Sequence, residues 1–241
     1  MESSLRENPI SLQKNQGHPE TGDNATPGVN FKPDANFLTS WAEWASTAES
    51  VEYKQRLTAI SIMRKQLENP EYTLDLAGLS LTTLPDLIPP CKSLVLSRNK
   101  LSALNITWPE GVTSIFLCMN RIKTFPMALP QGLKALSLRE NPLCTLSAGF
   151  PASIRYIDVR HCKLEVLPES LFVQLNSTTT VDAQHNPLNA NTVKFFSRIQ
   201  SPPGYAGPRI YLTSPGQTTE KTPEKSTGSL QSLDARLKLV S

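Results

Sequence analysis

The chain has 241 residues, 39% of them hydrophobic and 19% charged, with a net charge of +3 at pH 7. That length and apolar content suit one or two domains around a sizeable core. The small charge and scattered basic residues point away from a nucleic-acid surface and from a polybasic membrane anchor, and no apolar run is long enough for a membrane span.

Residues 1–36 are rich in Ser, Asn, Gln, Gly and Pro and lack the apolar stretch of a cleavable signal peptide. Such a segment is disordered in isolation. Its functional reading is a polar, unfolded export signal; its plain reading is a featureless tail. Residues 37–70 form an expected helical cap. Phe37, Leu38, Trp41, Trp44 and Ala45 recur at three and four residues, and a second helix runs from about Val51 to Leu67. In that helix Leu57, Ile60, Met63 and Leu67 are assigned to the buried side, and Lys54, Arg56, Arg64 and Lys65 to solvent. Trp41 and Trp44 read either as a binding platform or as cap packing. The cap is favoured, because the following repeats expose a sheet edge that a helical hairpin covers.

From residue 71 to 189 one phrase recurs. It reads Leu74-Asp-Leu76-Ala-Gly-Leu79-Ser-Leu81, Leu94-Val-Leu96-Ser-Arg-Asn99-Lys-Leu101 and Ile115-Phe-Leu117-Cys-Met-Asn120-Arg-Ile122. It continues with Leu136-Ser-Leu138-Arg-Glu-Asn141-Pro-Leu143, Ile157-Asp-Val159-Arg-His-Cys162-Lys-Leu164 and Val181-Asp-Ala183-Gln-His-Asn186-Pro-Leu188. These six copies are leucine-rich repeats. The first two apolar positions alternate with polar ones, which predicts a short strand buried on one face. Asn99, Asn120, Asn141 and Asn186 share one slot, where an amide can satisfy backbone groups at the turn, and stacking them makes a ladder. Leu79 and Cys162 weaken it at their copies. Successive slots lie 20 or 21 residues apart, the last pair 24. Prolines such as Pro85, Pro89, Pro126, Pro130, Pro151 and Pro168 mark the returns, so the outer side is predicted to be extended, without full helices.

The fold expected is therefore an α/β leucine-rich-repeat solenoid. It has about six short repeats, a parallel concave sheet, an extended convex side, an N-terminal helical hairpin and a short C-terminal helical cap. That second cap covers residues 190–213, with a helix through Val193, Phe195, Phe196 and Ile199 and an extended segment from Tyr205 to Leu212. Residues 214–241 read as a disordered tail, apart from a weak helix or docking segment at Leu230, Leu233, Leu237 and Leu239. With both ends capped, end-to-end stacking is not obligatory and a monomer is expected.

All four cysteines lie within the repeats, which suits reduced thiols and a cytosolic working environment. No cofactor is implied. His161 and His185 share a slot on neighbouring copies, but two imidazoles without a further ligand set make a poor zinc site, so no metal is expected. Cys118 and His161 lie two strands apart, roughly twice the ~4.8 Å strand spacing, which is too far for a nucleophile and its base.

The remaining surface is the concave face. One outward column is Asp75, Val95, Phe116, Ser137, Asp158 and Asp182; the next is Ala77, Ser97, Cys118, Arg139, Arg160 and Gln184. A third is Gly78, Arg98, Met119, Glu140, His161 and His185. Val95, Phe116 and Met119 form a candidate apolar patch for a protein partner, bordered by Arg98, Arg139, Glu140, Asp158, Arg160 and His161. The competing reading is that Phe116 or Met119 tucks against a neighbour and the charges only keep the face solvated.

The double-Trp helix with Arg56-Leu-Thr-Ala-Ile-Ser-Ile-Met63-Arg64, the Leu79-Ser-Leu-Thr-Thr-Leu84-Pro85 opening, the short repeats and Pro203-Gly204-Tyr205-Ala-Gly207-Pro208-Arg209-Ile210 together carry a resemblance. The chain, over about residues 37 to 214, resembles leucine-rich-repeat type III secreted effectors of Gram-negative pathogens, of the IpaH, SspH and YopM-like kind. The resemblance implies delivery into the host cytoplasm and binding of a host protein by the repeats. In the IpaH and SspH type it also implies a C-terminal ubiquitin ligase domain, whose catalytic Cys is followed two residues later by Asp. No cysteine here has that neighbour, and about thirty residues follow Leu212. A binding module without catalysis is expected, with a shortened ligase as the alternative.

Overall fold

Residues 35–68, 72–125, 128–146 and 149–213 are described by the computed structural model. The secretion-signal and tail readings fall on residues 1–34 and 214–241, outside the described residues. Two helices come first, α1 (Ala35–Ser46) and α2 (Ser50–Glu68). The repeat strands follow: β1 (Thr73–Asp75), β2 (Ser93–Val95), β3 (Ser114–Phe116), β4 (Ala135–Ser137), β5 (Tyr156–Asp158) and β6 (Thr180–Asp182). Helix α3 (Leu171–Gln174) precedes β6, and α4 (Ala190–Gln200) and β7 (Arg209–Tyr211) close the chain. The strands form one parallel sheet in sequence order. No helix among the described residues is long and apolar enough to cross a membrane.

Register places Leu74, Leu94, Ile115, Leu136, Ile157, Val181 and Ile210 side by side, all buried on the core side of the sheet. Each repeat strand ends because the chain enters the left-handed region just beyond it. Gly78, Arg98, Met119, Glu140, His161 and His185 all have φ between 52° and 71°. Only the first is a glycine, so five L side chains hold a conformation that costs each of them about 1 kcal/mol.

The Asn ladder fixes that turn. Asn120 accepts from the Leu101 N–H at 3.0 Å and donates to the carbonyls of Leu96 at 2.9 Å and Leu117 at 3.0 Å. Asn99, Asn141 and Asn186 repeat the pattern. A carbonyl such as that of Leu117 thus accepts from its own coil and from the next. At Cys162 the ladder narrows to a thiol donating to the Leu138 carbonyl at 3.3 Å.

Among the described residues the outer returns lack helix except in the longest repeat, where the single turn of α3 lies. There Phe172 stacks at 5.0 Å on Phe196 of α4 and meets Tyr205 edge-on at 6.1 Å. Helix α4 starts at Asn189, whose side chain accepts from the Thr192 N–H. The segment expected merely to lie against this end is a strand in full register, β7, with Ile210 beside Val181.

At the other end both tryptophans are interior, as cap packing requires. Trp41 Nε1 donates to the Leu87 carbonyl at 2.8 Å and Trp44 Nε1 to Thr83 Oγ1 at 3.0 Å. The buried stripe of α2 differs from the expected one. Arg56 is buried and Leu57 is 44% exposed. Counting apolar residues favoured Leu57, but the stripe is Arg56, Ala59, Met63, Gln66 and Leu67. The guanidinium of Arg56 is satisfied inside by the Trp44 carbonyl, Thr47 Oγ1 and Thr83 Oγ1, and it lies 5.0 Å from the Trp44 ring.

Candidate functional site

Because strand side chains alternate, the concave face holds, before the columns expected from the sequence, one more that sequence reasoning missed. That column is Thr73, Ser93, Ser114, Ala135, Tyr156, Thr180 and Arg209, two residues before the column of Asp75 and Val95. The same period-two rule that placed Asp75 and Val95 would have found it.

The expected apolar patch is divided. Val95 and Phe116 are register partners and are 1% and 5% exposed, with Ala77 and Tyr156 packed against them. Neighbouring parallel strands crowd their side chains, and the small Ala135 and Ser137 of β4 leave room between β3 and β5. Val95 and Phe116 are therefore a satellite core on the concave side rather than an open anchor, and the sideways-packed reading holds for them. Met119, at the turn, stays 43% exposed. Arg98 is exposed beside it, one coil back.

The C-terminal half of the face is polar and internally paired. Asp158 was expected at an open rim, but its carboxylate is buried and takes Arg160 Nε at 3.0 Å, Arg160 Nη2 at 2.8 Å and the Arg160 N–H at 3.1 Å. Arg160 also lies 3.4 Å from buried Asp182. The hydrogen bonds it donates to Asp158 raise the guanidinium's affinity for its proton further. Arg139 and Glu140 pair at 2.9 Å. The imidazoles of His161 and His185 stack at 4.4 Å, 8° from parallel. Burial, then His185 and Arg139, push the His161 pKa below the ordinary imidazole value, so this ring is neutral near pH 7.

Cys118 Sγ lies 3.0 Å from Ser137 Oγ. Burial pushes its thiol up, which keeps it protonated and poorly nucleophilic.

A stretch of 73 residues, 30% of this chain, is 36% identical to the outer membrane protein YopM of Yersinia pestis and spans 18% of that protein. A stretch of 83 residues, 34% of the chain, is 34% identical to the E3 ubiquitin-protein ligase SlrP of Salmonella typhimurium strain LT2 and spans 11% of it. Among solved structures, the leucine-rich effector YopM from Yersinia pestis superposes with a TM-score of 0.52 and 27% identity, over 64% of this chain and 48% of that one. No family model matches the chain. The chain is a leucine-rich-repeat solenoid similar to the repeat regions of these effectors.

Within this solenoid the structure gathers Arg98 and Met119 at the turn-side rim of the second and third repeats. It sets Arg139, Glu140, Arg160 and His161 toward the C-terminal half and withdraws Val95, Phe116 and Asp158 from solvent. Besides Tyr156, sequence reasoning missed Tyr211, which β7 adds to the concave face at 48% exposure. Its signal was the alternation of Arg209, Ile210 and Tyr211 around a single apolar residue.

Proposed function

We propose that this module binds a host protein through the concave face of its repeats, without catalysis of its own, after type III delivery into the host cytoplasm. The observation that carries the reading is the face itself. Exposed Met119 and Arg98 project from coils locked by the Asn ladder and Tyr211 from a strand paired in register with β6, so a partner meets a preorganised surface and little ordering entropy is lost on binding. The relationship to YopM and SlrP supports the effector role. The protonated, hydrogen-bonded Cys118 supports a face that binds rather than reacts.

Photo-crosslinking tests the reading. A crosslinking residue at Ser97 or Gln184 of the concave side should capture a host protein from lysate, while one at Val173 of α3, which is 89% exposed on the convex side, should not. Adducts from the convex position alone would sink the concave site. A reporter fused behind residues 1–36 tests delivery, and its absence from host cytoplasm in a secretion-competent strain removes that part. The likeness to SlrP favours one second reading, a substrate-recognition part of a ligase. Ubiquitin transfer to the captured partner by this chain with activating and conjugating enzymes would establish it.

A further inference from the structure

Four cations crowd the turn-side rim of the second and third repeats. Arg98 and Met119 occupy the same slot on successive coils, at φ 59° and 56°. Lys100 and Arg121 each follow by two residues, and Lys123 by four. All five side chains are exposed. The coils are held in step, with the Arg98 N–H donating to the Cys118 carbonyl, the Lys100 N–H to Leu81 and the Arg121 N–H to Leu101, each at 2.8 Å. Equivalent slots therefore stand about one strand spacing, ~4.8 Å, apart. The nearest acid along the slot, Glu140, is held by Arg139. Lys100, Arg121 and Lys123 form no ion pair among the described residues.

No ion pair among the described residues asks for Lys100, Arg121 or Lys123 there. Gly78 fills the Arg98 and Met119 slot in the first repeat, without the left-handed strain that an L side chain bears. Like charges within a Debye length of about 10 Å repel one another and oppose folding. Met119, 43% exposed, gains little packing in exchange. A soft apolar side chain ringed by cations on a rigid ridge is instead the composition of an interface centre with a charged surround.

We propose that this ridge binds an acidic segment of the partner protein, with carboxylates facing Arg98, Lys100, Arg121 and Lys123 and one apolar side chain seated on Met119. The proposal rests on the concave-face reading and gives the partner its chemistry. A nucleic acid fits less well. The row of cations stops at Glu140 after two coils, and no exposed aromatic lies among them to stack a base.

The test uses the full chain and a fluorescent peptide of four glutamates, a leucine and four glutamates, followed by anisotropy at low and physiological salt. Saturable, salt-sensitive binding is expected. Lys100→Glu with Arg121→Glu should weaken it at least about tenfold, while Lys92→Glu with Lys134→Glu on the opposite rim should leave it unchanged. Met119→Ser should weaken the leucine peptide and not an all-glutamate one, and urea midpoints near the parent's confirm that the variants fold. Equal binding by the parent and the ridge variant overturns the proposal, as does displacement of the peptide by a single-stranded oligonucleotide at equal concentration. Concave crosslinks kept in full by the ridge variant also overturn it and leave the concave-face reading standing. Absence of concave crosslinks in the parent removes that reading whatever the peptide does.

Discussion

Asn141 is 3% exposed, and its one amide serves three backbone groups on two coils. Asn141→Ala orphans the Ile122 N–H and strips a donor from two carbonyls in the core, a loss of about 3 kcal/mol. Urea unfolding should show it as a lower midpoint with an unchanged slope. Cys162 sits in the same slot with only a thiol, so Cys162→Asn completes the ladder and should stabilise by about 1 kcal/mol. The thiols themselves titrate. Burial pushes Cys91 and Cys162 from 9.0 to about 11 in the folded chain. A raised folded pKa means that their contribution is complete below pH 9 and is lost as pH climbs from 9 toward 11, because only the unfolded thiolate forms there. Thermal unfolding at pH 8 and pH 10.5 should show a fall in midpoint that is smaller in Cys162→Asn. The weak rung at Cys162 was legible in the sequence, since the slot and its hydrogen-bonding capacity follow from spacing and residue type. Its pKa was not, because burial is a property of the stacked coils.

Helix α2 is tied to the first repeat by charge as well as by packing. Burial pushes the Glu52 carboxyl up, but Thr82's N–H and hydroxyl and the Arg56 guanidinium more than offset it, leaving the pKa below 4.5. A lowered carboxyl stabilises the folded cap above its unfolded pKa, and that stability is lost as pH falls below about 4.5 through the folded value. Trp41 and Trp44 report the event, so an acid titration should change tryptophan emission in the parent, with a smaller pH dependence in Glu52→Gln. Arg56→Ala removes a buried guanidinium with four acceptors and should cost about 3 kcal/mol, seen as early loss of the same signal in urea. The cap as an element was readable from the spacing of its tryptophans. The inversion of Arg56 and Leu57 was not, because Arg56 is interior through acceptors on Glu52, Trp44, Thr47 and Thr83, and Thr83 lies 27 residues away.

Across the whole molecule the sequence showed which face of each repeat strand is the core, since Leu74, Leu94 and their equivalents repeat with period two. It misjudged how far the concave side chains project. Val95 and Phe116 are buried because Ala135, Ser137 and Tyr156, on other repeats, shape the space around them. The C-terminal edge shows the same dependence on distant residues, and it bears on oligomeric state. Strand β7 gives β6 the Arg209 N–H and the Tyr211 carbonyl, which points the backbone of Ile210 away from the sheet. There the side chain of Gln200 takes the place of an eighth strand, accepting from the Ile210 N–H at 2.8 Å and donating to its carbonyl at 3.1 Å. One glutamine thus covers the backbone groups through which a second copy could pair edge to edge. We propose that the module is a monomer for this reason. Gln200→Ala leaves that N–H and carbonyl open at a strand end, so sedimentation at rising concentration should show self-association in the variant and none in the parent. Equal sedimentation of the two would mean that another feature closes the edge.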